Sequence, residues 1–341
     1  MHYYGFDIHK KYSVFTCMDE QGQILRRGRV DNTPEALVGA VAPSGGQGKV
    51  VIETTGNWAY VYDTLEPWVS EVVLAHSLRV KAIAAAKVKT DRIDGDTLAH
   101  LLRADLVPTA YVPSQEVRDQ RDWLRSRSAV VRMGTQLKNR IHALLAKDGL
   151  SSPYKDLFGK AGRKWLADLE LRPTHRQILD RYLSLLDALQ ADIRVTTAAV
   201  GRQARQDHQA KLLMTIPGIG PLSALLFLAE VGEVRRFPTA RQLVSYAGLA
   251  PRVRSSGGKT HLGHITKEGS VWLRWVFTEA ATSVIAQPGP LSTFYQEVRQ
   301  RHGSQTAAIA LARKLLTIAY AVVKKGVPYR VAETKAEQDE G

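Results

Sequence analysis

Four carboxylates in this chain have types and spacings suited to phosphodiester chemistry. Asp7 stands inside the apolar run Tyr3 to Ile8, where an isolated carboxylate is costly to bury. Glu53 closes a second apolar run, Lys49 to Glu53, directly before Thr54-Thr55-Gly56. Asp91 and Asp94 are three apart in a helical pattern, so both point to one face. Asp96, five positions from Asp91, falls about 140° round the helix and is left out. Taken singly, such residues are mostly solvated or cap an element. Brought together they repel one another unless a cation neutralises them, and hard oxygen ligands suit Mg²⁺. Two Mg²⁺ ions roughly 4 Å apart activate one oxygen and stabilise the leaving one in phosphodiester exchange.

A second set lies in the C-terminal half. Arg235 to Arg274 holds eight Lys or Arg and one acid, Glu268, a net +7 within a chain whose total is +14. Inside it, Arg252-Val-Arg254-Ser255-Ser256-Gly257-Gly258-Lys259 reads as a flexible, Gly-flanked pair of serines among cations. A hydroxyl there could attack phosphorus, because neighbouring cations offset the developing charge. The plainer reading is a solvated turn whose arginines grip a backbone, with Lys267 and Arg274 further along the same surface. His261 and His264 are three apart, but no other His or Cys nearby supports a metal site, and they read as polar loop residues. Upstream, Pro217-Gly218-Ile219-Gly220 joins two helical patterns. Such a turn presents backbone N–H groups to a phosphate, or serves only as a tight connection.

The elements that must position these residues are legible in outline. Apolar strands cover Tyr3 to Ile8, Tyr12 to Met18 and Ile24 to Val30, the last two joined by the turn Asp19-Glu20-Gln21-Gly22. Asn32-Thr33-Pro34 starts a helix. A buried-type strand at Lys49 to Glu53, a helix near Trp58 to Trp68, a strand at Glu71 to Ala75 and a helix over Lys89 to Arg103 follow. Three strands, helix, strand, helix, strand, helix is the order of an RNase H-like α/β domain. In that fold the first and fourth strands are neighbours and the last helix crosses near their ends, so the four carboxylates converge.

Pro108 to Pro113 reads as an extended linker. Val117, Leu124, Val131 and Leu145 fall at heptad spacing in a helix over Glu116 to Lys147, and Leu179 to Val200 repeats in steps of three and four. The two form an antiparallel hairpin, a coiled-coil arm or part of a plain bundle. The expected division is an α/β domain over 1–107, a helical coiled-coil segment over 114–205, a helical C-terminal domain over 206–330 and a frayed tail over 331–341.

The bulk figures narrow the partners. With 47 Lys plus Arg against 33 Asp plus Glu, the chain attracts polyanions, nucleic acid first among them. No run in the sequence reading approaches the 18 or so apolar residues of a spanning helix, and no signal peptide precedes the first strand, so no membrane partner is expected. Cys17 is the only cysteine, which excludes internal disulfides and cysteine-based zinc sites and fits a reducing cytoplasm.

Gly5-Phe-Asp7-Ile-His9-Lys10, Ile52-Glu53-Thr-Thr-Gly56, Lys89-Thr90-Asp91-Arg-Ile-Asp94, Pro217-Gly-Ile-Gly220 and Ala250-Pro251 through Gly258 occur in that order. Over residues 3 to 330 the chain resembles the DEDD transposases of the insertion-sequence one-ten family, which include the Piv-type DNA invertases. The resemblance implies a RuvC-like domain whose catalytic, metal-holding carboxylates are Asp7, Glu53, Asp91 and Asp94. It implies a helical coiled-coil segment, then a transposase domain whose nucleophile is Ser256, with Ser255 beside it. The serine would form a covalent link to DNA while the RuvC-like site supplies Mg²⁺. Arg252, Arg254, Lys259, Lys267, Arg274, Gly218 and Gly220 would hold nucleic acid. The resemblance further implies double-stranded donor and target DNA, a structured non-coding bridge RNA as guide, dimers pairing into tetramers on DNA, and a bacterial or archaeal cytoplasm. Gly95, where the family often has Ala, is a minor departure.

Three other functions use part of this pattern. A hydrolytic nuclease or Holliday-junction resolvase would use the same metals without a serine. An actin-like ATPase shares the strand order but relies on Gly-rich phosphate loops, and Asp7-Ile-His-Lys supplies no glycine. A non-catalytic DNA-binding protein would gain nothing from clustered carboxylates that repel phosphate.

Overall fold

The computed structural model describes residues 1–83, 91–256 and 259–330, with the side chains at 91–92 and 254–262 outside that description. The expected frayed tail over 331–341 therefore lies outside the described residues. The chain divides into two compact units, Met1–Pro113 and Ser114–Gly341.

The first unit is a five-stranded mixed sheet in the order β3-β2-β1-β4-β5. Its strands are β1 (His2–Ile8), β2 (Tyr12–Met18), β3 (Ile24–Asp31), β4 (Gly48–Glu53) and β5 (Glu71–Ala75). β1 pairs antiparallel with β2 and parallel with β4, whose other edge pairs parallel with β5. Helices α1 (Pro34–Val41) and α2 (Trp58–Leu65) follow β3 and β4, and α1 is capped by the Thr33 hydroxyl, which accepts from the Ala36 amide. Their Leu37, Val41, Val61 and Leu65 pack on Tyr4, Phe6, Ile8, Val50 and Ile52.

The alternate residues of the same strands face the other way. Val51, Ala75, Leu98, Leu101 and Leu102 form the core there, under helix α4 (Asp91–Arg103). That period-2 split puts Gly5 and Asp7 on the α4 side. The strand and helix order expected from sequence is the order found, with one addition. A helix of seven residues, α3 (Ser77–Ile83), follows β5 and was not anticipated.

The second unit is mostly helical. α5 (Gln115–Lys147) and α7 (Pro173–Gln206) are 33 and 34 residues long. They run antiparallel, since Arg127 donates to Thr197 near one end and Arg172 to Asp148 at the other. Their distal end closes on α6 (Lys160–Asp168), with Ile141, Leu145, Leu166, Leu179 and Leu186 buried between them. A larger core gathers α8 (His208–Leu213), α9 (Pro221–Val231), α10 (Ala240–Tyr246), α11 (Val271–Ile285), α12 (Pro290–His302) and α13 (Ser304–Lys325).

Two sequence expectations change here. The segment around the paired serines is a β-hairpin, β6 (Pro251–Ser256) against β7 (Lys259–Ile265), rather than a loop. Ser255 and Ser256 end β6, opposite Thr260 and Lys259, while His261 and His264 lie on β7. The stretch reads as a loop because Arg, Ser, Lys and His give no apolar alternation. Backbone pairing joins the two strands. Second, α13 is long and apolar enough to cross a membrane by length and composition, and the sequence reading found no such run. Its Leu311, Leu315, Leu316, Ala319 and Val323 are buried in the core of the helical unit.

Candidate active site

The N-terminal site is built around a contact without side chains. α4 crosses β1 at Gly5. A Cβ on Gly5 would fall against the Gly95 carbonyl oxygen and 2.5 Å from the Ala99 nitrogen. Only glycine allows that approach, and it brings the start of α4, with Asp94 one residue before Gly95, against the strand that carries Asp7 two residues along the same face. On the other side, β1 and β4 run in parallel register with Phe6 level with Ile52. One further step of that register sets Asp7 level with Glu53.

The electrostatics agree with this convergence. The Glu53 carboxyl is pushed above the usual carboxylate range, first by burial, with Asp7 and Asp94 adding repulsion; a hydrogen bond from Ser77 and the charge of Lys81 act against them. Ser77 and Lys81 both lie on α3, so the helix missed in the sequence supplies the groups that temper Glu53. The signal available was the three-residue spacing of Ser77, Val80 and Ile83. Among the described residues no three His, Cys, Asp or Glu stand close enough to hold a metal ion by themselves. The side chain of Asp91, the fourth expected carboxylate, lies outside the described residues, and its backbone begins α4 one turn before Asp94. Carboxylate oxygens are the donor type that suits a divalent cation, and the described carboxylates alone do not complete such a set.

Asp96 has other partners. It receives both the Nε and an Nη of Arg27, at 2.9 and 2.7 Å, and the hydroxyl of Thr16 at 2.7 Å. It ties α4 to β2 and β3.

The β1–β2 turn beside Asp7 is held firmly. The carbonyl of His9 accepts from the side-chain amides of Asn32 at 2.7 Å and Asn57 at 3.1 Å. His9 Nε2 lies 3.2 Å from Asp7 Oδ2, and the imidazole stacks on Tyr12 with centroids 4.5 Å apart. The guanidinium of Arg29 covers the Tyr12 ring at 3.7 Å. Sequence reading noted His9 only within a motif and missed Tyr12 and Arg29, because their alignment depends on sheet register.

In the second unit, both feet of the β6–β7 hairpin are anchored to one another. Thr266 donates to the Ala250 carbonyl, Lys267 to Gly248 and Ser270 to Tyr246. Arg274 donates to the Ala247 carbonyl at 3.1 Å, so one of its donors is engaged in the fold. Arg252 reaches the Thr266 carbonyl at 3.5 Å, and Lys267 is exposed with φ of 58°. The side chains of Arg254, Ser255, Ser256, Lys259 and His261 lie outside the described residues.

Beneath the feet sits Glu230, only 3% exposed. Arg125 of α5 donates to it twice, at 2.9 and 2.6 Å, and the Ser270 hydroxyl once, at 3.0 Å. In the turn before α9, Gly218 has φ of 80° and a Cβ there would strike the Ala280 carbonyl, so packing on α11 requires this glycine. Gly220 is exposed, with open space where a Cβ would stand.

Comparison with known proteins covers both units. A DEDD transposase family model of the IS110 type, described as "Transposase", matches residues 4–147. A second, described as "Transposase IS116/IS110/IS902 family", matches residues 210–296. The chain is 30% identical over 280 residues to a "Probable family 20 transposase" of Pseudomonas aeruginosa, covering 77% of this chain and 82% of that one. It is 27% identical to the "Transposase for insertion sequence element IS1111A" of Coxiella burnetii, covering 96% and 90% of the two chains. It is also 27% identical to the "Transposase for insertion sequence element IS1328" of Yersinia enterocolitica, covering 95% and 97%.

Proposed function

The chain belongs to the IS116/IS110/IS902 family of transposases, and from that premise we propose that it exchanges DNA strands with two separate catalytic groups. Family membership implies an enzyme that cuts and joins DNA. The finer reading assigns Asp7, Glu53, Asp91 and Asp94 to a metal-holding site on an RNase H-like, RuvC-like domain over 1–107. A helical segment over 114–205 and a transposase domain over 206–330 complete the division. Ser256, or Ser255 beside it, is the nucleophile.

The observation that supports the reading is that Asp7 and Asp94 both lie near enough to half-buried Glu53 to raise its carboxyl, where α4 crosses β1 at Gly5 and β4 runs in register beside β1. A divalent cation, Mg²⁺ in this reading and two per site, would offset charge building on the phosphate oxygens. The chain's own groups do the rest. The carboxylates would hold that cation beside the reacting phosphate, and Arg252, Arg254, Lys259, Lys267 and Arg274, with the turn at Gly218 and Gly220, hold the backbone. The serine oxygen bonds to phosphorus as the phosphorus–sugar oxygen bond breaks; the serine proton passes to solvent, and the departing sugar oxygen takes one up. A sugar hydroxyl of the partner strand then attacks the same phosphorus, losing its proton as the serine oxygen leaves and is reprotonated. We assign double-stranded donor and target DNA as substrates, a structured guide RNA as partner, and dimers pairing into tetramers as the working form.

Co-expression with the flanking element DNA and sequencing of junctions tests this. Junctions form with the wild type and vanish in both Asp7→Ala and Ser256→Ala, unless Ser255 carries the attack, in which case Ser255→Ala removes them. Junctions that survive the double serine variant would leave water as the nucleophile and favour a hydrolytic nuclease or junction resolvase.

A further inference from the structure

Strand β3 carries three arginines, and two of them have structural tasks. Arg26 donates to the Ala40 carbonyl and covers the Phe15 ring, while Arg27 makes the paired bond to Asp96. Arg29 differs. It is exposed, and among the described residues no carboxylate pairs with it. Its guanidinium carbon lies over the Tyr12 ring, 3.7 Å from the centroid, and that ring is also stacked by His9.

That arrangement has a chemical consequence. A guanidinium seated over a ring without a carboxylate partner keeps N–H donors free for an oxyanion such as a phosphate. Holding it there removes part of the ordering cost of binding. Tyr12 is flanked by His9 and Arg29, so its ring faces are not open to a base. The ligand this ledge suits is an anion.

Register says which anion. Asp7 pairs with Val14 and Val14 with Arg29, so the three stand in one row across the sheet. Side chains in such a row share a face, and Asp7 faces α4. Two strand spacings, about 10 Å, separate the backbones of Arg29 and Asp7. A nucleic-acid strand advances roughly 3.4 Å per nucleotide along its axis. A strand whose reacting phosphate sits at Asp7 and Glu53 therefore presents another phosphate to Arg29 a few nucleotides away. A divalent cation held by the carboxylates would offset their repulsion of the DNA.

We propose that Arg29, held by Tyr12, is a phosphate-binding residue that grips the cleaved DNA strand a few nucleotides from the reacting bond. The proposal rests on the assignment of the carboxylate site above. Its test is a binding measurement, which stands whether or not those carboxylates cut.

The full chain is titrated onto a fluorescein-labelled duplex of the element's end at rising KCl. Arg29→Ala and Arg29→Gln are expected to weaken binding several-fold near physiological salt and to reduce the log–log salt slope by about one, whereas Arg29→Lys keeps the slope. Phosphate ethylation interference on the same duplex should lose one signal in Arg29→Ala, within a few nucleotides of the cut bond. An unchanged slope and unchanged interference in Arg29→Ala and Arg29→Gln, both melting as the wild type does, would overturn the proposal. So would a loss confined to a single-stranded or structured RNA probe.

Discussion

Gly5 of β1 and Gly95 of α4 meet backbone to backbone, and this contact sets the distance between Asp7 and Asp94. The two glycines are not equivalent. A Cβ on Gly5 has no space, whereas one on Gly95 would sit 3.4 Å from Thr16 Oγ1 and 3.5 Å from the Gly5 carbonyl oxygen, in ordinary contact. Gly5→Ala should lift α4 off the sheet at the upper end of the roughly 1–3 kcal/mol typical of overpacking, lower the melting temperature and abolish strand exchange. Gly95→Ala should fold normally and gain up to about 1 kcal/mol from helix propensity. Thermal melts of the two variants, with junction counts beside them, check both halves.

The raised Glu53 carboxyl gives a prediction about cations. A carboxyl whose folded value lies above its unfolded one binds more protons in the folded chain, so its contribution to stability falls as pH rises through that window. Above that window the group is a net cost in the metal-free protein. Glu53→Gln should melt higher than the wild type without divalent cation, and Mg²⁺ should raise the wild-type midpoint more than that of the variant. Calorimetric scans with EDTA and with Mg²⁺ measure the difference.

Much of the N-terminal unit was legible because its sheet is buried on two faces. Val50, Val51 and Ile52 make an unbroken apolar run, and Asp7 and Glu53 stand out against such runs. α3 was not legible, being seven residues long with Val80 as its only buried side chain. The β6–β7 hairpin was missed for a related reason: strand pairing leaves no mark on a sequence whose side chains are not sorted by face. The ledge of Arg29 and Tyr12 depends on register between three strands, which no local pattern encodes.

The buried Glu230 predicts a mechanical coupling. Removing one partner of a buried ion pair typically costs about 3–5 kcal/mol, and Glu230 also receives the Ser270 hydroxyl that caps α11. Arg125→Ala should destabilise the helical unit and expose the feet of the hairpin. Hydrogen exchange should rise at Lys267 and Ser270, whose amides bond to Gly248 and Tyr246, and remain unchanged in β1 and β4. Unaltered exchange at those two amides would remove Glu230 from any role in holding the hairpin.

At the far end of the long helices, His175 and Arg172 hold the Asp148 carboxyl below the usual carboxylate range, the His175 hydrogen bond contributing most. A lowered folded value adds stability above the unfolded one, which is lost as pH falls through the folded value. The end of the α5–α7 pair should therefore loosen only in acid, below the ordinary Asp range. Asp148→Asn should remove that dependence, as read by exchange at Leu150, whose amide bonds to Leu145.

The most direct test is strand cleavage by the purified full chain, with the element's transcribed flanking RNA, on end-labelled element DNA. Wild type would be compared with Asp7→Ala, Glu53→Ala, Asp91→Ala and Asp94→Ala, each with and without divalent cation. Cation-dependent cleavage is expected from the wild type alone, with each variant reduced by at least two orders of magnitude while still binding DNA. Full cleavage by Asp7→Ala or Asp94→Ala, or wild-type cleavage undiminished in EDTA, would contradict it.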